Sequence, residues 1–186
     1  MQIPFVQDYW IGTTYLHRQT ELWSAPRFCP PDVKLRAVVM DDIAEIIRSP
    51  DPELQRRRAV PGESVTRYGA WLDDRLVGVC TFAFGEDYRG YYTLRPSDAE
   101  LADIFTVGAC RGRGIAAALI RYGTEAMHAS GFSLLYAKIW RNNQPSLHAF
   151  AKAGWRKHCF FIRVQPTVTP HPLSVQWPPF ANPVER

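Results

Sequence analysis

The residues with the most obvious chemical potential lie between Asp103 and Ala116, in the string DIFTVGACRGRGIA. Strand-forming residues run there into a glycine-containing turn, and the turn opens an apolar helix. The first turn of a helix leaves backbone N–H groups without internal partners, at the positive end of the helix dipole. Gly112 and Gly114 place no side chain in the way of a ligand, while Arg111 and Arg113 add guanidinium charge. Such a turn suits an anion, with phosphate or pyrophosphate as the natural guest. No Gly-Lys-Ser/Thr follows, so it is not a Walker loop, and the glycine spacing does not fit a dinucleotide-binding fingerprint.

The elements that must position this turn can be read on either side of it. Lys34–Val39 suits a short strand, and Ile43, Ile46 and Ile47 then recur at helical spacing. Val65–Leu72 and Leu76–Phe84 flank Asp73-Asp74-Arg75 as a hairpin, and Glu100–Thr106 is a further strand. Apolar stripes from Gly114 to Ala129 predict a helix packed on a sheet and stopped at Gly131. Ser133–Trp140 reads as a buried strand. The next helix has Asn143 as N-cap, Pro145 in its first turn and Gly154 at C′, and Lys157–Val164 makes a last strand. Strands and helices alternating in the second half predict an α/β fold with a locally parallel strand pair.

Two segments resemble motifs of the Gcn5-related N-acetyltransferases (GNAT). Arg111-Gly-Arg-Gly-Ile-Ala116 is similar to motif A, and Asn143-Gln-Pro-Ser-Leu-His-Ala-Phe-Ala-Lys-Ala-Gly-Trp155 is similar to motif B. The likeness is clear over about residues 65–165 and compatible from 33 to 64. It implies an α/β fold with a mixed central sheet, a splayed strand pair and flanking helices. It divides the chain into an aromatic arm (1–32), an acetyltransferase domain (33–165) and a Pro-rich tail (166–186). Tyr9–Trp23 in the arm suits either a strand or an irregular segment.

The resemblance also implies acetyl-CoA as cofactor. Backbone amides of Gly112, Arg113, Gly114, Ile115, Ala116 and Ala117 would hold its pyrophosphate beside Arg111. Phe105 and Thr106 would pair with its pantetheine arm, and Asn143 would bond it at the second helix. The implied reaction is attack of a neutral amine on the thioester, which needs a proton acceptor. Glu100 and Asp103 are the candidates; three positions apart on a strand, they point to opposite faces unless a bulge intervenes. Many GNAT members carry a tyrosine seven residues after the motif-B asparagine to protonate the leaving thiolate. Here that residue is Phe150, and Tyr136, His148 and His158 are the nearby alternatives.

Composition bounds the rest. The chain of 186 residues, 46% hydrophobic and 22% charged, suits one compact domain. Its net charge of +4 comes mostly from scattered arginines, a pattern that argues against a nucleic-acid face. Cys29, Cys80, Cys110 and Cys159 form no CxxC pair, so neither a metal site nor a disulfide framework is expected. No secretory leader or membrane-span pattern is visible, which makes the cytoplasm the expected location. The expected partner is a small-molecule amine. Leu94–Asp103 is loosely similar to acetyltransferases found with bacterial polysaccharide genes, which directs the choice toward an amino sugar. A protein, peptide or aminoacyl-tRNA acetyltransferase and a CoA-binding module without turnover are the alternatives. The arm and the tail offer surfaces for a homodimer, with Tyr91, Tyr92 and Trp140 as acceptor-pocket aromatics.

Overall fold

The computed structural model describes residues 6–18, 29–56, 64–88, 93–166 and 173–177. Tyr91, Tyr92 and most of the tail therefore lie outside the described residues. Eight strands form one sheet: β1 (Val6–Arg18), β2 (Val33–Ala37), β3 (Val65–Leu72), β4 (Arg75–Phe84), β5 (Asp98–Thr106), β6 (Leu134–Trp140), β7 (Arg156–Pro166) and β8 (Leu173–Trp177). Their spatial order is β2-β3-β4-β5-β6-β1-β7-β8. All the pairings are antiparallel except β5–β6.

Helices α1 (Met40–Arg48) and α2 (Pro52–Gln55) cover one face. Ile43, Ile46 and Leu54 pack there on Trp71, Val79 and Phe105. The opposite face carries α3 (Ile115–Ala129) and α4 (Gln144–Lys152), with Leu119, Ile120 and Phe150 in the main core. At Gly123, α3 comes so close to the sheet that a Cβ would stand 2.8 Å from the Phe82 ring and 3.1 Å from the Cys80 sulfur. A free, buried thiol at Cys80 fills space as a small hydrophobe, and burial pushes its pKa up.

Local punctuation falls where the residue types require it. Asp73 and Asp74 have positive φ (49° and 58°) in a two-residue hairpin turn, a conformation that Asp tolerates better than most residues. The Asn143 side chain accepts from the Ser146 N–H at 3.3 Å and starts α4. Gly154, at φ 82°, ends it: Gly154 N–H reaches Ala151 O and Trp155 N–H reaches Phe150 O, each at 3.0 Å.

Two readings that the sequence leaves open are settled by the sheet. The segment set apart as an N-terminal arm contributes an interior strand, because β1 pairs β6 on one side and β7 on the other. Thr14, Tyr15, Leu16 and His17 are all buried, so no half-exposed alternation marks the strand in the sequence. Within the tail, Leu173–Trp177 forms the edge strand β8 on β7, which itself runs to Pro166.

The second concerns the carboxylates. β4 pairs Thr81 with Asp103 but Phe82 with Leu101, so Ala102 is an extra residue on β5. That bulge cancels the alternation and brings Glu100 and Asp103 to the same face, the one covered by α1 and α2.

Candidate active site

β5 and β6 are parallel only over three pairs, Asp98–Leu134, Ala99–Leu135 and Glu100–Tyr136. Beyond Glu100 they are no longer paired, and a cleft opens between their C-terminal halves. This is the splayed pair that the motif resemblance implies. The bulge and the divergence share a cause, since the extra residue at Ala102 breaks the ladder where the parallel pairing stops.

The larger part of the cleft, about 780 Å³, lies between the first turn of α3 and one face of α4. Phe105, Thr106, Arg111, Gly112, Gly114, Ile115, Ala116, Ala117 and Asn143 all line it. Arg113 does not; it turns outward into an ion pair with Asp32, whose carboxyl pKa is lowered by that contact. The α4 wall consists of Pro145, Ser146, His148, Ala149 and Lys152. The sequence singles out Pro145 and His148 but not Ser146, Ala149 or Lys152, although their i, i+3 and i+4 spacing places all five on one helix face.

The turn has the geometry an anion needs. Gly112 (φ 78°) and Gly114 (φ 82°) are left-handed, and a Cβ added at Gly112 would meet nothing within 4 Å on the protein side. Gly114 sits at the N-cap of α3, and its carbonyl accepts the first helical bond from Ala118. The amides ahead of Ala118 are left to face the cleft mouth. Arg111 folds back instead, donating through Nε to the Thr106 carbonyl at 3.1 Å with its guanidinium 5.9 Å from the Phe105 ring centroid. That contact occupies one backbone acceptor at the end of β5. The Thr106 hydroxyl is buried in the cleft floor without a hydrogen-bond partner. A partnerless buried hydroxyl among apolar and backbone walls fits a ligand with its own polar groups along the channel, as pantetheine has.

The smaller part, about 240 Å³, is lined by Ala102, Asp103, Lys138, Trp140, Asn143 and Phe150 among others. Asp103, Thr81 and Arg67 are in register across three strands, and the Asp103 charge supports protonated Arg67 against the burial that lowers its pKa. Glu100, 6% exposed at the root of the splay, accepts a hydrogen bond from the Tyr88 hydroxyl. Burial raises its pKa above the usual carboxylate range, opposed by the Tyr88 bond and by Lys138. Of the alternatives to Phe150, His148 lies on the outer cleft wall. Tyr136 belongs to the small cluster with Leu16 and Leu134, and burial pushes its pKa up to about 12. His158 is on β7.

A family model described as "Acetyltransferase (GNAT) family" matches residues 34–155. The chain belongs to the acetyltransferase (GNAT) family. The GNAT family uses acetyl-CoA. Among solved structures, this chain is similar to a GCN5-related N-acetyltransferase from Sphaerobacter thermophilus (TM-score 0.62, 15% identity, 87% of this chain and 53% of that one). It is also similar to a tandem GNAT protein from the clavulanic acid biosynthesis pathway (TM-score 0.58, 15% identity, 86% and 55%). At those identities the likeness is one of fold. In sequence, the chain is 32% identical over 74 residues to mycothiol acetyltransferase from Corynebacterium glutamicum (strain R), a match covering 38% of this chain and 25% of that one. The match thus spans a quarter of that relative's length. No helix among the described residues is long and apolar enough to cross a membrane.

Proposed function

We propose that the enzyme acetylates the primary amine of a small molecule, with an amino sugar the leading acceptor class, and that Glu100 takes the amine proton. The observation that carries this reading is the two-sided cleft: an anion turn and channel on one side of the splay, a small acid-bearing cavity on the other. The partial likeness to an acetyltransferase named for mycothiol supports a small-molecule acceptor. When bound, acetyl-CoA supplies the activated acyl group.

The residues of the chain do the rest. The Gly112–Ala117 amides and the α3 dipole hold the pyrophosphate, the end of β5 and the α4 wall align the pantetheine arm, and the smaller cavity takes the reacting end. Glu100 is suited to accept a proton because burial raises its pKa toward neutrality while Tyr88 fixes its orientation. Asp103, faced by Arg67, serves to hold the amine rather than to deprotonate it.

Cofactor binding is tested on Ala116→Glu. Ala116 lies in the first turn of α3 on the cleft wall, where an added carboxylate favours the helix but opposes a pyrophosphate. Calorimetry should show acetyl-CoA binding weakened on the order of a hundredfold or more, with no drop in melting temperature. Unchanged binding would remove the turn from the cofactor site. Thiol release is then screened over amino sugars, other small amines and lysine-containing peptides. Turnover with peptides alone would overturn the small-molecule reading. With an acceptor in hand, Glu100→Gln should lower kcat about a hundredfold and abolish the acid limb of the pH–rate profile, along which wild-type activity falls as Glu100 is protonated. A retained acid limb would transfer the base role to another group.

A further inference from the structure

The smaller cavity carries charge of both signs, since Lys138 and Asp103 both line it. They meet there through the strand register. Counting on from the last parallel pair, Glu100–Tyr136, brings Lys138 of β6 across the gap from Ala102, and the bulge sets Asp103 beside it. Glu100, at the root of the gap, feels the same ammonium, which lowers its pKa against the larger effect of burial. On the other flank of Asp103, two strands away in the same row, stands the cationic Arg67, 9% exposed. Once Glu100 has taken the amine proton, this group holds two cations against the single Asp103 carboxylate. Charge sheltered from water needs a counter-charge, and the amine of the acceptor brings none. Another part of the acceptor is left to supply it.

We propose that Lys138 selects an acceptor bearing an anionic group, a phosphate or a carboxylate, a few bonds from its primary amine, with the amine held at Asp103 and the anion at Lys138. A lysine ammonium suits that task, because it binds either anion as a point charge through three rotatable donors. Trp140, two residues further along β6, lines the same cavity and offers a flat apolar wall to a sugar ring. In a cavity of about 240 Å³ bounded by apolar side chains, the attraction is screened less than at an open surface. The inference rests on the amino-sugar reading and narrows it to amino sugars that carry a phosphate or a carboxylate.

The test compares matched acceptors by thiol release from acetyl-CoA. Glucosamine is set against glucosamine phosphorylated at its primary hydroxyl and against glucosaminuronic acid, and phenylethylamine against phenylalanine. The readout is the ratio of kcat/KM between the anionic and the neutral member of each set. Removing Lys138 also lets the Glu100 pKa rise, but that slows both members alike and leaves the ratio untouched. In wild type the anionic amino sugars should be preferred about tenfold or more, and the two arms tell phosphate from carboxylate. Lys138→Met should bring the ratio near one, Lys138→Glu should invert it, and Lys138→Arg should keep it. Glucosamine turned over with no preference for its anionic forms, or a preference that survives Lys138→Met, would overturn the role of Lys138 and leave the amino sugar in place. A Lys138-dependent preference confined to phenylalanine, with no amino sugar turned over, would keep Lys138 and overturn the amino-sugar reading. Turnover of neither set would sink both.

Discussion

Truncating Phe150 to alanine should cost about 3–5 kcal/mol of folding free energy, read as a large drop in the urea midpoint with an unchanged slope. Phe150 is 2% exposed and belongs to the main core. It packs against the Tyr15 ring on one side and meets the Trp155 ring edge-on at 5.1 Å on the other. Both neighbours are anchored and cannot collapse into the void. Tyr15 is fixed by two strand ladders, and Trp155 Nε1 donates to Thr124 Oγ1 at 3.0 Å, which in turn donates to the Ile120 carbonyl at 2.7 Å. A cavity that cannot close keeps its full cost. A loss below about 1 kcal/mol would mean that Phe150 is a replaceable lining residue rather than the joint between β1, α3 and α4.

Acidification should be nearly as damaging, through one residue. His17 is 2% exposed and its pKa is lowered to about 4, first by burial, then by His128, Arg156 and Arg121. His128 Nδ1 lies 2.7 Å from the Phe132 carbonyl, which can only accept, so that nitrogen carries the proton. Its Nε2, 2.9 Å from His17 Nδ1, is then the acceptor, and His17 donates. A second proton on this pair has no place. The unfolded chain binds a proton at His17 near pH 6.5 and the folded protein only near 4, so the stabilisation is complete above 6.5 and is lost as pH falls through that window. The difference amounts to about 3 kcal/mol. Urea titrations between pH 7 and 4 should show the slope, and His17→Phe should flatten it. A slope retained in the variant would assign it to the carboxylates instead.

Much of this was legible in the sequence, and the reasons are local. Gly112, Gly114, Asn143, Gly154 and Asp73-Asp74 each occupy a backbone position that selects for their residue type, and each declares its turn or cap without reference to the rest of the chain. The faces of α4 and the strand pair β5–β6 follow from periodicity. What could not be read depends on pairing at a distance. β1 is buried on both sides, so Thr14–His17 shows neither strand alternation nor a polar face, and nothing near it in the sequence announces β6 and β7 as neighbours. The bulge at Ala102 exists only in the register with β4, yet it decides where Glu100 and Asp103 point. The contact of Tyr15 with Phe150 inherits the same obscurity.

The insertion of β1 also has a temporal side. β6 and β7 are joined through α4 and would be the natural first partners of each other, but in the finished sheet each instead holds one edge of β1. Thr14 pairs with Lys138 on one side and Cys159 on the other, so the earliest strand in the sequence is seated only after nearly the last ones have formed. Contacts of such long reach slow folding. Until β1 arrives, β6 and β7 can close on one another in a trapped arrangement, or accept the same strand from a neighbouring chain. The wall of the smaller cavity is then the last part of the protein to be completed, and ligand binding in the cleft should lag behind the acquisition of secondary structure during refolding.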